Sequence, residues 1–378
     1  MAVAVHEPSR LRWPDLTIMV LAISLAVAGV VVSGSARVFT EAVNARGLLP
    51  GGLVRSFVHL GLGLLVMVLA MLPDYRRFAR GGLAWTMLIG ICFLLVLALV
   101  SPAVGNTHRW IHIGRFSLQP SEPAKAVLVL LVAATIAHAD REIETVRGLV
   151  RPLAVAGAIA GLVLVGKDLG TPVLMFLTTI ILCLAAGARF KHVGTLLGAG
   201  LLGGVAAVIL EPYRVGRVMG FTKALGFSPE GMSEIPYQLR QSLLAIGSGG
   251  VAGKGFGAST QKAFFLPEAD NDFIFAVIAE ELGLFVALAL IAAFLVLAWR
   301  GLKVADDAQD ELGRLIAIGA TWMLSGQALC HMGVVAGILP TKGLTLPFFS
   351  TGGWSLIVSC AMAGLLLNVS LRRRPYGC

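Results

Sequence analysis

Long stretches of apolar residues alternate with short polar connections along almost the whole chain. The apolar runs fall at Leu16–Ser33, Phe57–Leu72, Leu83–Val100, Ala124–Ala137, Leu153–Val165, Leu169–Ala188, Val193–Leu210, Phe273–Trp299, Leu315–Leu339 and Leu344–Leu371. In hydrocarbon every backbone polar group must be paired within its own segment, so runs rich in Leu, Ala, Val and Gly predict helices that cross a bilayer. The pattern predicts an all-α polytopic membrane protein with about ten transmembrane helices, forming one membrane domain over residues 1–378. The fifth run is short for a bilayer core and is followed by Lys167-Asp168, which leaves open a tilted or re-entrant pair with the sixth. One polar segment, residues 211–272, is far longer than the other connections and reads as a long extracytoplasmic loop between helices seven and eight. Its apolar patches, such as Ser242–Val251, predict short pieces folded back on the membrane surface. A flexible portion from Pro212 to about Gly257 is expected to cover the site, with Glu268 to Asp272 as a fixed end.

Composition strengthens the membrane reading. The chain is 57% hydrophobic and 13% charged, whereas soluble domains are about 25% charged. Its 45 glycines suit close approach of membrane helices. The formal charge of +9 is spread over short loops, which fits anionic lipid head groups and gives no sign of nucleic acid. The five cysteines include no CxxC spacing, so neither a disulfide framework nor a zinc site is indicated. Leu16–Ser33 lacks a small-residue cleavage pattern and reads as a retained first span. Setting the long segment aside, Lys and Arg gather on the loops that share a side with both termini, among them Arg76, Arg77, Arg147, Arg151, Lys303 and Arg372. This bias places both termini in the cytoplasm.

Against that background the polar clusters stand out. Glu268, Asp270 and Asp272 lie within five residues at the mouth of the eighth span, with Glu280 and Glu281 two turns inside it. Ionisable groups at that depth are expensive and mark functional sites by default. Equally, Asn271 or Asp272 could simply cap the helix. Glu122 and Lys125, three residues apart at the start of the fourth span, can neutralise each other as a structural or conformational ion pair. Arg109 and Arg115 flank Trp110; the tryptophan suits the head-group level, and the arginines could clamp a phosphate. Lys167-Asp168 lies between spans, and Leu339–Gly353 combines Lys342 with helix-breaking Pro and Gly. All these clusters open to one face, where a cavity lined by Arg109, Lys167, Lys342, Asp168 and the Asp272 group would suit an anionic lipid bearing a sugar.

Taken together, Arg109 to Lys125, Asp168-Leu-Gly-Thr171, Gln241 to Gly250 and on to Gln261-Lys262, Leu266–Gly283 and Leu339–Gly353 resemble the SEDS family (shape, elongation, division and sporulation), and FtsW more closely than RodA. The motifs run in the family's order along nearly the whole chain. The resemblance implies a ten-span fold in the bacterial inner membrane. It also implies polymerisation of lipid II into peptidoglycan during cell division, beside a class B penicillin-binding protein that crosslinks the strands and with other division proteins as partners. It places the family's essential aspartate on Asp272 and its intramembrane Glu and Lys on Glu122 and Lys125. The chain departs from the family at Asp270-Asn271, at Gly166-Lys167, at Phe264-Phe265 and at Trp354.

On that basis Asp272 is the expected catalytic base, its proton affinity raised by Glu268 and Asp270. Arg109, Trp110, Lys167, Asp168, Lys342, Gln261 and Lys262 are the expected substrate-binding residues. Alternatively, Glu268, Asp270 and Asp272 gather a divalent cation, Mg or Mn, as the only cofactor in view. A lipid II flippase using Glu122–Lys125 and Glu280 as a transit path, and a non-catalytic division scaffold, are the competing expectations.

Overall fold

The computed structural model describes residues 12–42, 51–79, 81–102, 107–113, 116–210, 215–216, 219, 236–340, 343–350 and 352–373. Its helices are α1 (Leu16–Ala42), α2 (Gly51–Met71), α3 (Tyr75–Phe78), α4 (Gly81–Val100), α5 (Ser121–Ala139), α6 (Val146–Val165), α7 (Gly170–Ala185) and α8 (Phe190–Ile209). There follow α9 (Tyr237–Gly249), α10 (Thr260–Phe264), α11 (Ile274–Asp306), α12 (Glu311–Thr321), α13 (Gln327–Val335) and α14 (Gly353–Leu371). Among the described residues nine helices, α12 and α13 counting as one, are long and apolar enough to cross a membrane, and α7 is a shorter apolar tenth. The fold is thus the polytopic helical bundle expected, with one addition. Strands β1 (Ile111–Ile113) and β2 (Phe116–Leu118) form an antiparallel hairpin between α4 and α5.

Three element boundaries differ from the sequence reading. The fifth span is not short: α6 runs 20 residues, beginning at Val146 under a Thr145 cap whose hydroxyl accepts from the Gly148 amide. Arg147, Arg151 and Pro152 had made that first turn look like loop. Long basic side chains can reach the interface from a helix end, and Pro152 sits early in the helix. The short span is the sixth, α7, at 16 residues, because the chain turns at Gly187 (φ 90°) and Ala188 N donates to Cys183 O, a helix-ending αL arrangement. The final run is helical only from Gly353; residues 343–350 are extended or turn and fold into the bundle.

Packing is uneven. In their most apolar stretches α14 is 83% buried against protein and α8 only 6%. The core comprises α5, α12, α13 and α14, ringed by α1, α6, α7 and α11.

The second half of the long segment is a packed element, not a flexible cover. In α9, Leu239, Ser242 and Ala245 are fully buried, and Ser242 donates to Val335 O at 2.7 Å. The turn after α9 plugs a break in α11 at Gly283 (φ 78°, ψ −175°). There the free carbonyls of Glu280 and Glu281 accept from Lys254 N and Gly255 N, and Leu284 N donates to Gly250 O. A Cβ on Gly283 would sit 2.4 Å from Gly253 N, so glycine is required where the two backbones cross. The first half of the segment lies mostly outside the described residues.

Candidate active site

The start of α11, the α6–α7 turn, the α4–α5 connection and the segment before α14 (residues 343–350) meet at one end of the bundle. Among the described residues only three non-glycines have positive φ: Lys167 (66°), Glu268 (56°) and Phe348 (69°). Each lies in one of these converging loops. Such strain persists only where surrounding structure enforces it, and it clusters at functional sites.

The Glu268 turn is enforced by its own carbonyl, which accepts from the amides of Asn271, Asp272 and Phe273 at 3.1, 3.0 and 3.4 Å. It delivers Asp272, half-buried, to the mouth of α11. A Cβ on Gly343 would lie 3.1 Å from Asp272 Oδ2, and a Cβ on Gly170 would lie 3.2 Å from Gly343 O. Asp272, Gly343 and Gly170 are therefore stacked, which joins three distant motifs. Ser350 Oγ donates to Asn271 O at 3.0 Å and completes the clamp.

Neither Asn271 nor Asp272 caps α11: the N-cap is Phe273, with no side-chain cap bond, and Asn271 Oδ1 is buried without a partner. The carboxylates do not form the expected metal site either. Among the described residues no three His, Cys, Asp or Glu side chains gather closely enough to hold an ion. Glu268, Asp270 and Asp272 thus do not fit a divalent cation. Like-charge repulsion does act here: partial burial and then the Asp270 charge raise the Glu268 carboxyl above its ordinary range.

Several expected substrate residues already have protein partners. Arg109 donates to the carbonyls of Gly166 (3.4 Å) and Lys167, closing the end of α6. Asp168 is 3% exposed and accepts from Thr171 N and Thr171 Oγ1 at 3.3 and 2.8 Å, bracing the first turn of α7. Both also line a small cleft with His108, Ser121 and the apolar Leu95 and Leu162. Lys167 and Trp110 are half-buried. Lys342 and Arg115 lie outside the described residues, Lys342 immediately before Gly343.

Lys262 is not available in the way expected: its ammonium pairs with Glu281, both side chains being 2% exposed. Glu281 also accepts from Gly257 N at 3.0 Å. Glu280, fully buried, accepts from Lys254 Nζ at 2.7 Å, from Ser259 Oγ and from the amides of Thr260 and Gln261. The Gln261 side-chain oxygen is buried and unpartnered. The two glutamates thus fasten residues 248–262 to the first two turns of α11, so they set the placement of Asp272 and line no open path.

Deeper in, Glu122 and Lys125 form the expected ion pair at 2.9 Å. It belongs to a larger network that sequence reasoning missed. Lys125 Nζ donates to Gln327 Oε1 at 3.0 Å. Gln327 Nε2 donates to Thr345 O at 2.7 Å and Thr345 Oγ1 at 3.0 Å. Thr345 Oγ1 donates to Glu122 Oε1 at 3.4 Å and accepts from Ser355 Oγ at 3.0 Å. The signal was present as a Gln and a His four residues apart inside an apolar run. Trp354, one of the departures from the family pattern, has a clear role: its indole N–H donates to Ser117 O at 2.8 Å and holds the β-hairpin to the start of α14.

Comparison with known proteins finds relatives over nearly the full length. The family model described as cell cycle protein, covering FtsW, RodA and SpoVE, matches residues 15–375. The chain is 38% identical over 371 residues to "Probable peptidoglycan glycosyltransferase FtsW" of Geobacter metallireducens, covering 95% of each. It is 37% identical over 322 residues to "Stage V sporulation protein E" of Bacillus subtilis, covering 84% of this chain and 86% of the relative. Among solved structures it is similar to a chain of a peptidoglycan synthase complex described for coordination of polymerization and crosslinking (TM-score 0.76, 29% identity, 97% and 99% coverage). It is also similar to the rod shape determining protein RodA of Thermus thermophilus (TM-score 0.68, 28% identity, 96% and 98% coverage). With its motifs in order on a shared multi-pass membrane fold, this chain belongs to the FtsW/RodA/SpoVE family.

Proposed function

We propose that the protein is a peptidoglycan glycosyltransferase that polymerises lipid II into glycan strands during cell division. The observation that carries this reading is the placement of Asp272. Its carboxylate sits at the junction of three strained loops, packed so close to Gly343 that a Cβ there would lie 3.1 Å from its oxygen. In the reaction the 4-hydroxyl of one lipid-linked disaccharide attacks the anomeric carbon of another. Asp272 takes the hydroxyl proton as the new C–O bond forms, and the bond to the polyprenyl pyrophosphate breaks. Base and leaving group act from opposite faces of the sugar, so the anomeric centre inverts. Arg109, Lys167 and Lys342 supply the positive charge for the pyrophosphate. Trp110, Asp168 and Gln261 border the substrate. Lys262 acts through Glu281 by fixing the Asp272 helix. Among the departures from the family pattern, Asp270 acts on Glu268 through charge, and no step is assigned to a metal ion.

The Asp272 end of the bundle faces the extracytoplasmic side of the bacterial inner membrane, with both termini cytoplasmic. A class B penicillin-binding protein crosslinks the product, and other division proteins recruit the pair. A flippase is less well supported: the groups a transit path would use, Glu280 and the Glu122–Lys125 pair, are saturated by protein partners. The test is polymerisation of purified lipid II, with and without a class B penicillin-binding protein, by the wild type and by Asp272→Asn, with lipid transfer across vesicles measured in parallel. The expected result is abolished polymerisation in the variant; undiminished glycan chains from Asp272→Asn overturn the assignment. Lipid transfer without polymerisation by the wild type would favour the flippase.

A further inference from the structure

The segment that carries Gly343 to Asp272 is gripped from one side by a single helix. On α13, Gln327 and His331 lie four residues apart and so share a face; they are 2% and 1% exposed. Gln327 Nε2 donates to Thr345 O at 2.7 Å, and His331 Nδ1 is 2.6 Å from Leu344 O. A carbonyl only accepts, so Nδ1 carries the proton, and Nε2, buried without a partner, does not. Two consecutive carbonyls of the segment before α14 are thus held by two donors from consecutive turns of one helix. The orientation of the Gln327 amide is fixed as well, because its oxygen faces the Lys125 ammonium, which can only donate. A π-helical turn, Trp322–Gly326, immediately precedes Gln327. One residue inserted into a helix turns all that follows by about 100°, and such turns recur at functional sites. Here it sets the face on which Gln327 and His331 appear.

We infer that Gln327 and His331 are positioning residues that fix the gap between the Gly343 segment and the Asp272 carboxylate, and through it the rate of glycosyl transfer. The inference rests on the proposed glycosyltransferase reading. Both residues hold the segment before α14, and their effect passes through it. Because the grip uses Nδ1 alone, asparagine, whose amide nitrogen falls where Nδ1 lies, preserves it. Glutamine, which places its amide where Nε2 lies, does not.

The experiment compares wild type, His331→Leu, His331→Asn and His331→Gln as purified full-length chains polymerising lipid II, each with hydrogen–deuterium exchange followed over residues 343–350. In the Leu and Gln variants kcat is expected to fall at least about tenfold, with KM for lipid II changed less than about twofold, the signature of misplacement and not of lost binding. Exchange at the Leu346, Phe349 and Ser350 amides should rise in both. In His331→Asn both readouts should return near wild type. Equal rates for all three variants overturn the inference, as does a KM effect matching the kcat effect. If His331→Leu fails to fold, the Asn against Gln contrast decides. If wild type itself makes no polymer, the functional reading falls. The exchange contrast then still tests the grip, and equal exchange in Asn and Gln overturns it.

Discussion

At the end of the bundle where α1 begins and α14 finishes, charged groups are joined across many elements. Asp15, 3% exposed, pairs with Arg300 of α11 and lies 4.0 Å from Arg373 beyond α14. Tyr75 is fully buried and donates to Asp310 at 2.9 Å. Burial and the Asp310 charge raise its hydroxyl above the ordinary range, which keeps it a donor. Asn368 donates to the carbonyls of Ala70 and Pro73 and accepts from Arg372. Among the described residues no non-glycine at this end has positive φ. The Asp272 end holds all three that do, together with the broken helix before α14. The contrast indicates that one end ties the helices together, while the other keeps strained backbone in place for a substrate to use.

The largest expected effect tests the tying end. Asp15→Asn leaves Arg300 without its carboxylate, at a cost of about 3 kcal/mol, the low end for a broken buried pair because Arg300 keeps some contact with solvent. Thermal unfolding in detergent should register that loss, while polymer formed per folded molecule stays at the wild-type level. A parallel fall in specific activity would mean that the two ends are coupled, and the division of labour would fail.

The spans were legible because hydrocarbon imposes one dominant rule, continuous apolar helix, and ten runs obey it. The exceptions were places where another rule prevailed. Arg147 and Arg151 look like loop residues until a helix end lets them reach the interface, and Leu344–Phe349 looks like span until hydrogen bonds from Gln327 and His331 replace the helical ones. In the site, Asp272, Glu122 and Lys125 could be found because charge in an apolar run is conspicuous. Glu280 and Glu281 were equally conspicuous, but the sequence could not reveal that Lys254, Ser259 and Lys262 close on them. That clasp depends on backbones crossing at Gly253 and Gly283, a long-range contact with no local signature. Gly343 was visible only as the residue after Lys342, and its importance comes from what an absent Cβ allows.

A second, smaller effect tests the site end. Gly343→Ala places a methyl group about where a carbon would lie 3.1 Å from Asp272 Oδ2. The helices beneath are untouched. Polymerisation should fall about tenfold, corresponding to about 1.4 kcal/mol of transition-state stabilisation, with the unfolding midpoint nearly unchanged. A lowered midpoint with normal specific activity would reverse the comparison and make this strand a stability element.

The smallest effect distinguishes strain from pairing at Glu268. Its carboxyl is raised by partial burial and by Asp270, so the folded protein binds this proton more tightly than the unfolded chain does. As pH rises through the ordinary carboxylate range, the unfolded chain releases the proton first, and the native state loses stability relative to it. Glu268→Gln removes that loss. The variant should therefore melt slightly above wild type at neutral pH, and the gap should close below the ordinary carboxylate range, as followed by unfolding midpoints across pH. The side chain is exposed, so solvent screening keeps the shift small. The opposite sign, a variant that melts lower at neutral pH, would mean that a cation compensates Glu268 in the folded protein. Lys342, one residue before the glycine that touches Asp272, would then be the first group to substitute. The turn would be an ion-paired element like those at the other end of the bundle, and its strained backbone alone would remain to set it apart.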